Sequence, residues 1–215
     1  MVEPAAYAVF LGAALALLVV PGPAVLYIVA RSVHQGRRAG LASVLGIHVG
    51  TLVHVLAATV GLSALLASSA TAFTVVKLLG AAYLVYLGIR TLAGRGDRGV
   101  EASPSGPTRG RRRDFAEGIV VNVLNPKTAL FFVAFLPQFV DPDAGAATLQ
   151  ILVLGLTFML LGLVTDSLWA LAAGTAGDWL RGHRGFLRAQ RWVSGSIYLG
   201  LGALTALAGP HRSSR

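Results

Sequence analysis

Cysteine is absent from this chain, which removes disulfides, thiol relays and thiolate metal sites. A thiol-based membrane redox carrier goes with them. Charge is scarce too: 13 % of the 215 residues are Asp, Glu, Lys or Arg, against about 25 % in a soluble domain. No alternation of apolar and polar residues over strand-length segments runs along the chain, so an outer-membrane barrel is excluded. No HExxH or GxSxG motif occurs. Ser167 beside Asp166 is no nucleophile–base pair, because helix neighbours point about 100° apart. An intramembrane enzyme, the non-transport alternative, is left without machinery, and no cofactor is expected. The first fifteen residues carry one charge, Glu3, and lack the positive start of a cleavable signal.

What is present is apolar length. Hydrophobic residues make up 55 % of the chain and mean hydropathy is +0.70. Runs of about 20 apolar residues recur, the length that crosses roughly 30 Å of hydrocarbon. Six helical spans are expected, over 5–30, 41–66, 70–92, 116–139, 147–173 and 192–209. The net charge of +9 does not point to nucleic acid, because the cations sit in short connections between spans. Fourteen of the 18 basic residues fall in or beside the first, third and fifth connections, as the positive-inside rule expects of cytoplasmic loops. Glu3, Asp141 and Asp143 lie on the other side, and both termini are expected outside. Arg111-Arg112-Arg113 reads as a topology determinant rather than a lipid-headgroup site.

Two spans are broken by proline, and the breaks align. A shift of 105 positions puts Phe10 on Phe115, Pro21 on Pro126 and Tyr27 on Phe132. Three spans per half is an odd number, so the second half inserts upside down. The expected architecture is an all-α integral membrane protein. Its six transmembrane helices form two inverted three-helix repeats with helices 1 and 4 broken. Residues 1–93 form the first repeat, 94–114 a flexible Gly/Ser/Pro/Arg-rich cytoplasmic linker, and 115–215 the second repeat. Lys77–Gly88 repeats weakly at Arg191–Gly202. Matched broken helices are the best sequence pointer to a transporter's site.

The candidate substrate-binding residues follow from that pointer. Pro21 and Pro126 each remove a backbone donor and free carbonyls. With Gly22, Pro23 and Asn125 beside them, they give half-helix ends suited to a zwitterion. Lys127 stands at mid-span depth, where an ionisable group is a functional hypothesis by default. It is suited to a substrate carboxylate, with pairing to Asn122 or to a carbonyl as the bland alternative. Asp166 is the acid well inside a span, a candidate for a substrate ammonium or a coupling proton. A salt bridge to Lys127 or Lys77 is its rival. His48 and His54 lie six residues apart on poorly matched helix faces, so no shared metal site is expected; His54 is a candidate for a polar network. Lys77 is expected to snorkel to the outer interface. Gly46 and Gly50, and the aromatics from Phe131 to Phe139, read as packing.

These motifs resemble the LysE/RhtB-type amino-acid exporters, the lysine-exporter and homoserine–threonine translocators. The likeness is carried by Pro21-Gly22-Pro23, Arg38-Ala39-Gly40-Leu41, His54 and Lys77-Leu78-Leu79-Gly80-Ala81-Ala82-Tyr83-Leu84. Its most specific part is Asn122-Val123-Leu124-Asn125-Pro126-Lys127 through Phe131-Phe132, with Leu136-Pro137-Gln138-Phe139. The resemblance implies export of amino acids or close derivatives from the bacterial cytoplasm across the inner membrane, driven by the proton gradient. The proline motifs would line the path and Asp166 would supply a polar site. Val20 and Ala24 stand where polar residues are frequent in the family, which leaves lysine unassigned as the cargo. Metal or other small-solute efflux is the second transport reading, poorly served by one buried acid and no thiolate. The oligomeric state, a homo-oligomer included, is left open.

Overall fold

The computed structural model describes residues 2–69, 110–141 and 144–175, with scattered positions from 71 to 93 and at 196 and 199. The linker over 94–109, Lys77, Asp143 and most of the sixth expected span and of the later repeat lie outside the described residues. The described elements are helices: α1 Pro4–Val19, α2 Pro23–Gln35, α3 Arg37–Ser68, α4 Arg111–Val123, α5 Pro126–Leu130 and α6 Ala147–Thr175. A π-helical turn over Phe131–Phe135 and a 3₁₀ turn over Leu136–Phe139 extend α5.

Prolines set these boundaries. Pro4, Pro23 and Pro126 occupy first-turn positions, where the missing N–H would have no intrahelical partner anyway. The pair α1–α2 bends by 48° at its break, and the pair α4 with Pro126–Phe139 bends by 45°. Counting each bent pair as one, the described residues hold four candidate spans, with Arg37–Leu65 and Ala147–Thr175 the unbroken ones. Two differences from expectation stand out. The first basic connection is a single residue, Gly36 at φ 85°, a left-handed conformation that favours glycine; Arg31 and Arg37 are therefore helical. Helix α4 begins at Arg111, so the last four residues of the expected linker are its first turn.

Small residues let α3 lie directly on α4. A Cβ on Gly46 would strike the Phe115 carbonyl, one on Gly50 would come within 2.9 Å of Asn122, and one on Gly118 within 2.7 Å of the Ser43 carbonyl. The Gly46/Gly50 pair thus packs as its spacing suggests. The aromatics fill the core beside the breaks: Phe131 stacks on Phe158 with centroids 3.9 Å apart, and Phe10 is buried among them. Large apolar side chains such as Leu52, Leu56, Val60, Leu160 and Leu168 remain exposed on α3 and α6, the surface that hydrocarbon covers.

At the end nearer the basic residues, charged side chains join α2 to α4. Arg31 reaches Asp114 at 3.5 Å and also pairs with Glu117. Tyr27 donates to the Asp114 carbonyl at 3.0 Å, and the Arg31 guanidinium lies 5.2 Å from the Tyr27 ring centroid. Asp114 is fully buried. This cluster ties the second half of the first broken helix to the first half of the other.

Candidate functional site

Pro21 has no N–H, so the Leu17 carbonyl four residues earlier loses its helical partner. A side chain from the other broken helix replaces it. Lys127 Nζ donates to the Leu17 carbonyl at 2.7 Å and to the Val20 carbonyl at 2.6 Å. The ammonium thus sits at the negative end of the α1 dipole, where a cation is favoured. The opposite side of the break is bare: α2 starts from Gly22 with no side-chain cap. Glycine there also makes room, since a Cβ would come within 2.9 Å of Lys127 Cδ.

The second break poses the same problem and solves it differently. The carbonyl four residues before Pro126 belongs to Asn122, and it lies 3.0 Å from His54 Nε2. A carbonyl only accepts, so Nε2 carries the proton of that bond. The Asn125 side chain accepts from the Lys127 amide at 3.1 Å and caps α5. The Asn122 side chain fixes the rest. Its Nδ2 donates to the Ile47 carbonyl and to Thr51 Oγ1, both at 2.8 Å. Its Oδ1 accepts from Thr128 Oγ1 at 3.0 Å and Asn125 Nδ2 at 3.3 Å.

Between the breaks lies a cavity of about 40 Å³, room for about three waters. Gly22, Ala24, Asn122, Asn125, Lys127 and Asp166 are among its lining residues, with His48, Thr51 and Thr128. Asp166, 5 % exposed, comes from the middle of α6. His48 Nε2 stands 3.3 Å from Asp166 Oδ2, within ion-pair distance although not aligned as a hydrogen bond. His48 Nδ1 is buried without a hydrogen-bond partner among the described residues. Gly162 opens the space this pair occupies, because a Cβ there would press His48 Cε1 at 2.9 Å.

Five of the nine candidates, Gly22, Asn122, Asn125, Lys127 and Asp166, meet at this cavity. Pro21, Pro23 and Pro126 stand at the breaks and are not among its lining residues. His54 faces a separate groove with Ala58, Leu62 and Phe132 and reaches the site only through the Asn122 carbonyl. The partner of Asp166 is His48, which sequence reasoning considers as a metal ligand shared with His54 and sets aside. The signal was available: an ionisable group at span depth marks function by default. Thr51 and Thr128 carry no comparable signal, since hydroxyls are common in membrane helices.

The profile of the LysE type translocator family matches residues 15–209. The chain belongs to that family. A LysE type translocator is a membrane transporter and not an enzyme, in keeping with the apolar helices described above. The homoserine/homoserine lactone efflux protein of Salmonella typhimurium is 32 % identical over 188 residues, covering 87 % of this chain and 89 % of the relative. Its Salmonella typhi counterpart matches equally, at 32 % over the same length. The membrane protein YrhP of Bacillus subtilis is 29 % identical over 199 residues, 89 % of this chain and 94 % of its own length. No solved structure matches the chain.

Proposed function

We propose that this translocator exports amino acids or close derivatives across the bacterial inner membrane by secondary-active, proton-coupled alternating access, and that its site is the cavity between the broken helices. The observation that carries the proposal is the convergence of Lys127, Asp166 and the Leu17 carbonyl freed by Pro21 at one buried cavity, with the Val20 carbonyl as the second acceptor for Lys127. Such a set offers an anion and carbonyl dipoles for an ammonium group. It also offers a cation, with the uncapped start of α2, for a carboxylate. The homoserine-efflux names of two relatives make homoserine the first cargo to try. Metal efflux is less well supported, because the cavity presents one carboxylate and one imidazole and no third such ligand.

Coupling is assigned to Asp166 with His48. An acid and an imidazole 3.3 Å apart in a buried cavity can exchange a proton and carry it with the moving half. In this reading the six spans form two inverted repeats with both termini outside, and the halves rock about the cavity. The Arg31–Asp114–Glu117 cluster then closes the cytoplasmic end. Asn122, Asn125, Pro126 and His54 hold the frame, Pro21 and Pro23 keep the first break open, and Gly22, Lys127 and Asp166 meet the cargo.

The test is counterflow in proteoliposomes with labelled homoserine and a panel of neutral, basic and acidic amino acids. Saturable, competed flux that an imposed pH gradient drives establishes the exporter and names its cargo. Absence of flux across the panel sends the search to derivatives and other small solutes.

A further inference from the structure

We propose that the Lys127 ammonium is a tethered stand-in for cargo: in the empty carrier it fills the seat that the cargo's ammonium group takes when bound. The inference rests on the exporter reading above and deepens it. The seat is built, not incidental. Two carbonyls converge on one nitrogen at 2.7 and 2.6 Å, one of them freed by Pro21, and Asp166 lines the same cavity. Two acceptors beside a carboxylate suit the three donors of a primary ammonium, whichever molecule carries it.

The seat is also full. With Lys127 in place the cavity holds about three waters, and the lysine stem runs past Gly22 with no room for a methyl group. An amino acid enters only if that side chain withdraws. The exchange balances in charge. An incoming zwitterion brings one ammonium and one carboxylate; the ammonium takes the two carbonyls, and the displaced Lys127 pairs with the carboxylate. At no stage are the carbonyls left bare inside the membrane, where an unsatisfied group costs several kcal/mol. The empty carrier can therefore return across the membrane with its seat occupied by its own lysine.

That return step separates two modes of flux. Removing the lysine costs the cargo's carboxylate a partner and so weakens binding, but once cargo is saturating exchange persists, because the seat is filled by cargo whenever the carrier moves. Net efflux needs the empty return and fails. We expect Lys127→Met in proteoliposomes to raise the homoserine concentration needed for half-maximal counterflow, because the carboxylate loses its partner. At saturating homoserine it lowers net efflux into cargo-free buffer about tenfold or more beyond any loss of counterflow. Gly22→Ala, whose methyl crowds the lysine stem without removing its charge, slows net efflux more than counterflow. Equal loss of both modes in the two variants overturns the proposal and makes Lys127 a fixed helix cap.

A second measurement needs no transport. Lys127→Ala in detergent is melted with ethylammonium or with tetramethylammonium, which has no N–H to donate. Ethylammonium alone raises the melting temperature of the variant, and neither salt moves wild type. No selective response in the variant, or the same response in wild type, counts against the seat. A selective response in a protein that moves none of the amino acids upholds the seat and instead removes the exporter reading.

Discussion

At the Pro126 break each loose end is finished by a side chain: Asn125 caps the start of α5, His54 takes the Asn122 carbonyl, and the Asn122 amide is bonded on both its atoms. At the Pro21 break the start of α2 is uncapped, and the freed carbonyls are held by a flexible cation from the opposite helix. The sequence repeat makes the two equivalent, since Leu17 and Asn122 stand at the same position of the 105-residue shift. One break is sealed and the other is closed by a group that can leave. A binding site wants the second kind, because a carbonyl locked to a rigid partner has nothing to offer cargo. The sealed break supplies the frame.

The sharpest way to break that comparison is Asp166→Asn, which removes the anion beside the open break. Proton-driven efflux is expected to fall to background while the protein still inserts and folds, checked by flux against a pH gradient and by size-exclusion profile. Normal proton-linked flux in that variant would take Asp166 out of the mechanism. Next comes Pro21→Ala, which gives the Leu17 carbonyl a backbone donor and competes with Lys127. Net efflux drops about tenfold, equivalent to about 1.4 kcal/mol, even though the helix itself gains a hydrogen bond. Flux equal to wild type would mean that the open break is only a bend.

Much of this contrast can be read from the chain. Proline chemistry alone says which carbonyls are orphaned, four residues before Pro21 and Pro126, and the charge pattern says where the ends of the spans fall. Which side chains answer the orphans cannot be read, because Lys127 and Leu17 are 110 residues apart and His54 and Asn122 are 68 apart. Packing decides those partners, and it does so through glycines whose close approach to a neighbour leaves no periodic signature. His48 beside Asp166 depends on Gly162 making room one turn earlier on α6. The single-residue turn at Gly36 was hidden for another reason. Arg31, His34, Arg37 and Arg38 look like a solvated loop, yet they continue two helices whose ends project beyond the apolar core.

The sealed break yields to a double-mutant cycle. His54→Ala leaves the buried Asn122 carbonyl with the Asn125 amide alone, at 3.0 Å, and is expected to destabilise the protein by about 0.5–1.5 kcal/mol. Pro126→Ala restores an amide that can reach the same carbonyl. If the histidine acts only as a cap, the double variant recovers about 1 kcal/mol of that loss, read by chemical unfolding in detergent. The parallel cycle of Pro21→Ala with Lys127→Met is expected to recover stability without recovering net efflux. Recovery of both at both breaks would erase the distinction between them.

The smallest effect is expected at Asn125. Its side chain caps α5 and donates to Asn122, so Asn125→Ala costs about 1 kcal/mol, the usual worth of an N-cap. Homoserine flux stays within about twofold of wild type if the residue only frames the cavity it lines. Asn125→Asp separates the two roles, because aspartate caps a helix as well as asparagine but cannot donate to Asn122 Oδ1. Stability retained with flux retained places Asn125 in the frame. Stability retained with flux lost would move it into the binding site and leave the two breaks more alike than their caps suggest.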